Sequence, residues 1–189
     1  MRITFVGHQT WAIDTGPSLI LVDPLLKTVF GAFGHGKNAI YPFRKVSIDK
    51  KIDAVVLSHE HADHFCIESL NTLSRETKIY TGRLMPDSID HAIKLLGFEL
   101  VKFDDKSKFN INGIDITCFH AHSSTPYWEN RVYQFLFQSG GSTFYLPVDS
   151  AISEEFINYI GETSLFLDLV AISNNAQVTG IGTRAAFDN

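Results

Sequence analysis

His59, His61, Asp63 and His64, four side chains of metal-ligand type, fall within six positions in the run Ser58-His59-Glu60-His61-Ala62-Asp63-His64. Imidazole nitrogen and carboxylate oxygen suit Zn2+, and also iron or manganese. His59 and His61, two apart, project to one side of an extended backbone. Asp63 and His64 then begin a turn, so the four groups can converge on one small volume. At roughly 5% per residue type, four such fixed positions recur by chance about once in a thousand chains of this length. Two other readings stay open on the residues alone. One is a solvated histidine loop. The other is a closed structural zinc site, which would usually be completed by Cys or His in a compact module; Cys66 and Cys118 stand elsewhere.

A rigid element must deliver these groups. The short β-branched run Ile52–Leu57 directly precedes them and reads as a buried strand, in a sheet covered on both faces. Further strands are expected at Ile3–Val6, Thr10–Asp14 and Leu19–Val22, the last two joined across Thr15-Gly16-Pro17-Ser18. Downstream, Cys66–Arg75 has apolar residues three apart and predicts a helix. Lys78–Tyr80 predicts a strand. Pro86–Leu96 predicts a better helix, with Pro86 in its first turn, Ile89, Ile93 and Leu96 on one face and Gly97 at its stop. A strand is expected at Phe98–Phe103. Asn112-Gly113 marks a hairpin between Phe109–Ile111 and Ile114–Phe119, and Gly140-Gly141 a second between Val132–Gln138 and Ser142–Leu146. A short helix over Ser153–Ile160 and a strand over Leu165–Ile172 follow. From Pro24 to Lys51 no period is visible. A loop that long is usually functional or disordered, and its aromatics favour an ordered cover.

The 189 residues amount to one ordinary domain, with no repeat or linker, and are expected to form a single domain over 1–189. Sixteen basic against 21 acidic residues leave a net charge of −5, a poor basis for binding a phosphate backbone. No apolar run approaches the ~20 residues of a membrane span. No secretory signal is visible at the start, and two cysteines are too few for a disulfide framework, so a reduced cytoplasmic protein is the expectation. The expected partner is a small molecule, neither nucleic acid nor membrane. Of the eight histidines, none follows His122.

The motif His59-x-His61-x-Asp63-His64, preceded by Asp53-Ala54-Val55-Val56-Leu57-Ser58, resembles the metallo-β-lactamase superfamily. The opening Ile3-Thr4-Phe5-Val6-Gly7-His8 and the later Ser18-Leu19-Ile20-Leu21-Val22-Asp23-Pro24 look most like the branch containing ascorbate-phosphate lactonases and related hydrolases. The likeness covers roughly residues 2 to 150 in element order.

That resemblance implies an α+β fold, a four-layer αββα sandwich of the metallo-β-lactamase type with its metals at one edge, between the ends of the two sheets. It implies one or two zinc ions, with iron or manganese as alternatives. His59 and His61 would hold the first metal together with His122, the better of two candidates in Phe119-His120-Ala121-His122. Asp63 and His64 would hold the second, and Asp149 would bridge them, although Val148 stands where the family commonly has Gly. His120 and His8 are expected beside the ligands rather than on the metal. The family's further histidine near the C-terminus has no counterpart here, so either the chain is cut short or its second site is incomplete.

The reaction implied is hydrolysis of an ester, lactone or phosphoester by a metal-activated water, with Asp63 orienting the nucleophile and passing a proton to the leaving group. Tyr127, Trp128 and Arg131 are candidate substrate contacts, Arg131 facing a phosphate or carboxylate of an anionic substrate. Competing classes are an iron-dependent oxidoreductase on the same fold and a degenerate, non-catalytic metal-binding domain.

Overall fold

Short β-branched and aromatic runs punctuated by Gly, Pro and Asn form strands wherever the sequence predicts them, and the sheets follow from how those strands pair. A computed structural model describes residues 1–26, 30–32, 38–40, 48–127 and 130–172. It divides into two compact units, Met1–Thr81 with Met85–Lys102, and Gly82–Leu84 with Phe103–Asn189.

The first unit carries a six-stranded mixed sheet. β1 (Arg2–Gly7), β2 (Thr10–Asp14) and β3 (Leu19–Val22) form an antiparallel meander. β6 (Ala54–Leu57) then lies parallel to β3, with Val22 opposite Val56, and β7 (Lys78–Gly82) lies parallel to β6. β8 (Leu100–Phe103) closes the edge beside β7. Every residue of β3 and β6 is buried, on both faces of the sheet, as the unbroken apolar run of each requires. One face packs Leu19, Leu21, Val55, Leu57 and Ile79 against Phe65, Leu70 and Ile93. Within the aperiodic stretch the chain makes a small hairpin, β4 (Phe30–Ala32) with β5 (Asn38–Ile40), which sequence periodicity did not reveal. Residues 27–29, 33–37 and 41–47, including His35, lie outside the described residues, and so does most of the expected cover.

Helix α2 (Asp87–Leu95) fits the sequence. Pro86 occupies its N-cap, Ile93 is buried, and Gly97 leaves it in the left-handed region at φ 84°. The helix expected over Cys66–Arg75 is cut to α1, Ile67–Leu70. Its successors Asn71, Thr72 and Ser74 are poor helix formers that bond locally instead. The Thr72 hydroxyl donates to Ser69 O at 2.7 Å, and the Arg75 guanidinium donates to Leu73 O at 3.1 Å, taking carbonyls that further turns would have used.

The second unit holds a five-stranded sheet that runs from Leu169–Val170 through Ser142–Leu146, Tyr133–Ser139 and Ile114–His120 to Lys108–Ile111. Both glycine hairpins form. β9 (Lys108–Ile111) turns into β10 (Ile114–His120) through Asn112 and Gly113 at φ 48° and 86°, the positive pair that a two-residue turn of this hand needs. β11 (Tyr133–Ser139) turns into β12 (Ser142–Leu146) through Gly140-Gly141. Helix α3 (Glu154–Thr163) is capped by Ser153, whose hydroxyl accepts the Phe156 N–H, and Phe156 packs on Phe119, Leu136 and Tyr145. The strand expected over Leu165–Ile172 shrinks to β13, Leu169–Val170. Side chains supply its approach in place of a ladder: Thr143 N–H donates to the Asp168 carboxylate at 2.7 Å, and Asp168 N–H to the Thr143 hydroxyl at 2.9 Å. Among the described residues no helix is long and apolar enough to cross a membrane.

Candidate metal centre

Parallel pairing of β3 with β6 brings two chain segments to the same sheet end. Val22 opposes Val56, so Asp23 and the run from Ser58 leave the sheet side by side. Asp23 N–H still donates to Val56 O at 3.1 Å, but its φ of 44° turns the chain away. Asp tolerates that left-handed conformation better than most residues, and a non-glycine residue held there marks a site that its surroundings over-determine.

The histidine run starts from this platform. His59 and His61 lie with ring centroids 4.5 Å apart. A tight turn follows, in which His61 O accepts the N–H groups of His64 at 2.9 Å and Phe65 at 2.7 Å. The turn folds His64 back until its ring centroid lies 4.1 Å from that of His59. Phe65, buried in the core, anchors it. His59 and His64 form the floor, at 2% and 0% exposure. His61 and Asp63 are half-buried.

Two sets of ligand atoms lie within 4.8 Å of one another: His8, Asp63 and His64, and Asp23, His59 and His64. His8, just past β1, brings Nε2 to 2.8 Å from Asp63 Oδ2, and His64 Nε2 lies 3.7 Å from the same oxygen. Asp23, fully buried, is a residue that the ligand motif does not contain. Its carboxylate accepts Ser58 N–H at 2.8 Å, the Ser58 hydroxyl at 2.5 Å and His64 Nδ1 at 2.8 Å. A buried carboxylate needs such partners to offset its lost hydration. The signal that could have found it is local: an acidic residue directly after the fully apolar strand Leu19–Val22, where a buried carboxylate needs a reason.

The second unit holds the remaining candidates. His120 ends β10, its Nδ1 3.3 Å and its backbone N–H 3.1 Å from the Glu155 carboxylate. Burial raises the Glu155 carboxyl, but the Lys106 ammonium and the His120 amide outweigh it and hold the group below the usual carboxylate range. The His122 backbone N–H donates to Ser150 Oγ at 2.8 Å. Its ring Nδ1 accepts Ser124 N–H at 3.0 Å, so a neutral His122 carries its proton on Nε2, 3.3 Å from Glu154 Oε1. The Ser123 hydroxyl holds the Glu154 carboxyl below its ordinary range. Asp149 follows Val148, whose φ is 56° while its side chain is 1% exposed. A β-branched residue there is strained, and glycine would not be. Tyr127 and Arg131 are exposed, and Trp128 lies outside the described residues.

The donor set in the first unit fits a divalent cation. Buried imidazoles and a partly exposed carboxylate converge at the ends of rigid strands, and such donors suit zinc, iron or manganese. Both cysteines are buried and free.

Comparison with known proteins agrees with this reading. Residues 18–180 match the β-lactamase superfamily domain family. A Brucella anthropi protein named UPF0173 metal-dependent hydrolase is 27% identical over 177 residues, 92% of this chain and 67% of its own length. Among solved structures, the isothiocyanate hydrolase from Delia radicum gut bacteria superposes with a TM-score of 0.72 at 17% identity, covering 97% of this chain and 75% of that one. The diiron β-hydroxylase CmlA from Streptomyces venezuelae gives 0.67 at 18% identity, covering 95% of this chain and 37% of that one. Both structures share their fold with this chain, and the α+β class of the metallo-β-lactamase type expected from sequence is the one found.

Proposed function

The chain belongs to the β-lactamase superfamily, and on that premise we propose that it is a metal-dependent hydrolase of a small-molecule ester, lactone or phosphoester. The observation that carries this reading is the clustering of His64 with His8 and Asp63, and with Asp23 and His59, each set with its ligand atoms within 4.8 Å of one another, and of the His61 ring 4.5 Å from that of His59.

His59, His61, Asp63 and His64 would hold one or two divalent cations, zinc by preference for this donor set, with iron and manganese chemically acceptable. A cation held there supplies Lewis acidity and lowers the pKa of a water. Asp63 is the partly exposed carboxylate of the set, at 27%, and His8 donates to it. Asp63 can therefore orient the attacking water, take its proton and return it to the leaving group. His122 and Asp149 would be further ligands on the strength of the resemblance alone. Arg131 would meet an anionic group of the substrate, with Tyr127 and Trp128 as further contacts.

A second reading, an iron-dependent oxygen chemistry, is favoured by the fold shared with a diiron hydroxylase. Metal analysis of protein purified without added metal separates the two. Zinc with chelator-sensitive hydrolysis of phosphoester or lactone probes supports the hydrolase, and iron with oxygen consumption overturns it. His61→Ala should lower metal content and abolish hydrolysis. Unchanged metal stoichiometry would remove the cluster as the site.

A further inference from the structure

His8 stands in the turn between β1 and β2, and below that turn Phe5 lies directly opposite Trp11. Their ring centroids are 4.9 Å apart, with the planes tilted by 51°. Trp11 in turn opposes Val22, and Val22 opposes Val56. Opposed residues share a face, so these four side chains form one row across the sheet. Val22 and Val56 are fully buried, yet Trp11 is only half-buried and Phe5 is 47% exposed. Their neighbours on the other face, Val6 and Ala12, pack into the core with Leu21 and Val55. The open end of the row lies at the sheet end that carries the ligands. Val22 directly precedes Asp23, and the Thr10 hydroxyl, which donates to Asp23 O and accepts Leu25 N–H, both at 2.8 Å, pins the start of β2 there. The register shift between Phe5 and Gly7 is a bulge, a device that re-aims a side chain beside a site. It turns His8 toward Asp63 and leaves Phe5 beside Trp11.

We propose that Phe5 and Trp11 are specificity-determining residues, an aromatic platform that receives an aryl or alkyl group of the substrate while its reacting group lies at the ligands. The inference rests on the hydrolase reading of the ligand cluster. Scattered single apolar residues on a surface need no explanation. Here two aromatic rings touch each other and end a row that is otherwise buried. The row carries no charge, so it takes the uncharged part of a substrate and leaves any anionic part to the cation. At about 3.3 Å per residue along a strand, Phe5 stands roughly 10 Å from His8. A phenyl group joined to the reacting centre by a short chain spans that distance, and a methyl group does not. Aromatic contacts also add attraction beyond the area they bury.

The test uses the zinc-loaded 189-residue chain and two phosphonates that it cannot hydrolyse, methylphosphonate and 2-phenylethylphosphonate, titrated by calorimetry. Wild type should bind the phenylethyl compound about tenfold more tightly, from the apolar area covered and the aromatic contact. Its phenyl protons should give Overhauser contacts to the Phe5 and Trp11 rings. Phe5→Ala should cut the preference to about threefold or less, and Phe5→Tyr, which keeps a ring, should restore it. Trp11→Ala should act in the same direction. Trp11 is the more buried of the two, so if that variant does not fold, the Phe5 pair still decides. Equal affinity for the two phosphonates in wild type overturns the proposal. So does a preference that survives Phe5→Ala, or a bound phenyl group without contacts to either ring. A wild-type chain that takes up no zinc, or that holds zinc and binds neither phosphonate, overturns the hydrolase reading and the proposal with it.

Discussion

His8 Nε2 meets Asp63 Oδ2 at 2.8 Å across 55 residues of sequence. The contact exists because β1 ends irregularly. Its register with β2 shifts between Phe5 and Gly7, Gly7 takes φ 144°, and His8 follows at φ 51°. At that distance the imidazole donates to the carboxylate and orients it. His8→Ala is therefore expected to keep the number of zinc ions bound per chain and to weaken the weakest of them by roughly tenfold. Elemental analysis after dialysis checks this. Loss of a whole equivalent would make His8 a direct ligand.

Val148 reverses the usual ranking of small residues. Glycine in place of alanine normally costs about 0.5–1 kcal/mol within regular structure. At φ 56° the penalty falls on any side chain instead. Val148→Ala loses two buried methyl groups and keeps the strain, whereas Val148→Gly loses the Cβ as well but sheds it. The glycine variant is expected to be the more stable of the two by about 1 kcal/mol in urea denaturation. The opposite order would show that the backbone relaxes out of the left-handed region.

Gly82 is required for space rather than for conformation. A Cβ there would collide with the Tyr133 ring. The ring cannot retreat, because Tyr133 is 1% exposed and its hydroxyl donates to Asp105 and accepts Leu84 N–H. Gly82→Ala should cost about 1–3 kcal/mol, read as a lower denaturation midpoint at unchanged slope. A midpoint equal to wild type would mean that the ring has another place to go.

Asp14 governs part of the acid response. Its carboxyl is held well below the usual range, first by the Lys50 ammonium, then by the Gly16 N–H, with the Arg2 guanidinium adding to them. A depressed folded-state pKa contributes stability that is present above the unfolded value of 3.8 and is lost as pH falls below it. Asp14→Asn should be less stable than wild type by about 1 kcal/mol at neutral pH, since the ion pairs are partly solvated. That gap should narrow below about pH 4. A gap that stays constant from pH 7 to pH 3 would show that the ion pairs contribute nothing.

What could be read from sequence was local. The two glycine hairpins and the Pro86-to-Gly97 helix each carry their signal within a dozen residues and stand in the structure; the histidine run is as local, and its His59, His61 and His64 rings lie close together. Helix α1 is shorter than its apolar spacing predicts, because that spacing hides the Asn, Thr and Ser side chains that stop it. β13 is shorter than its apolar run predicts, because such a run says nothing of the Asp168–Thr143 bonds that replace its ladder. Asp23 was visible in the sequence as part of a resemblance but not as part of the site. An acidic residue directly after an apolar strand marks it locally as a carboxylate in need of partners, but which partners it meets depends on parallel pairing of β3 with β6, which is non-local.

Leu19–Val22 and Ala54–Leu57 have no exposed position. A substitution in either strand is eliminated as a folding defect before its effect on chemistry can be tested by selection. The gene segments that encode this frame should therefore accumulate changes slowest, while the exposed Tyr127 and Arg131, proposed to meet the substrate, change as substrates change. Among descendants of such a chain, new substrates acquired by an old metal centre should outnumber new metals acquired by an old substrate pocket.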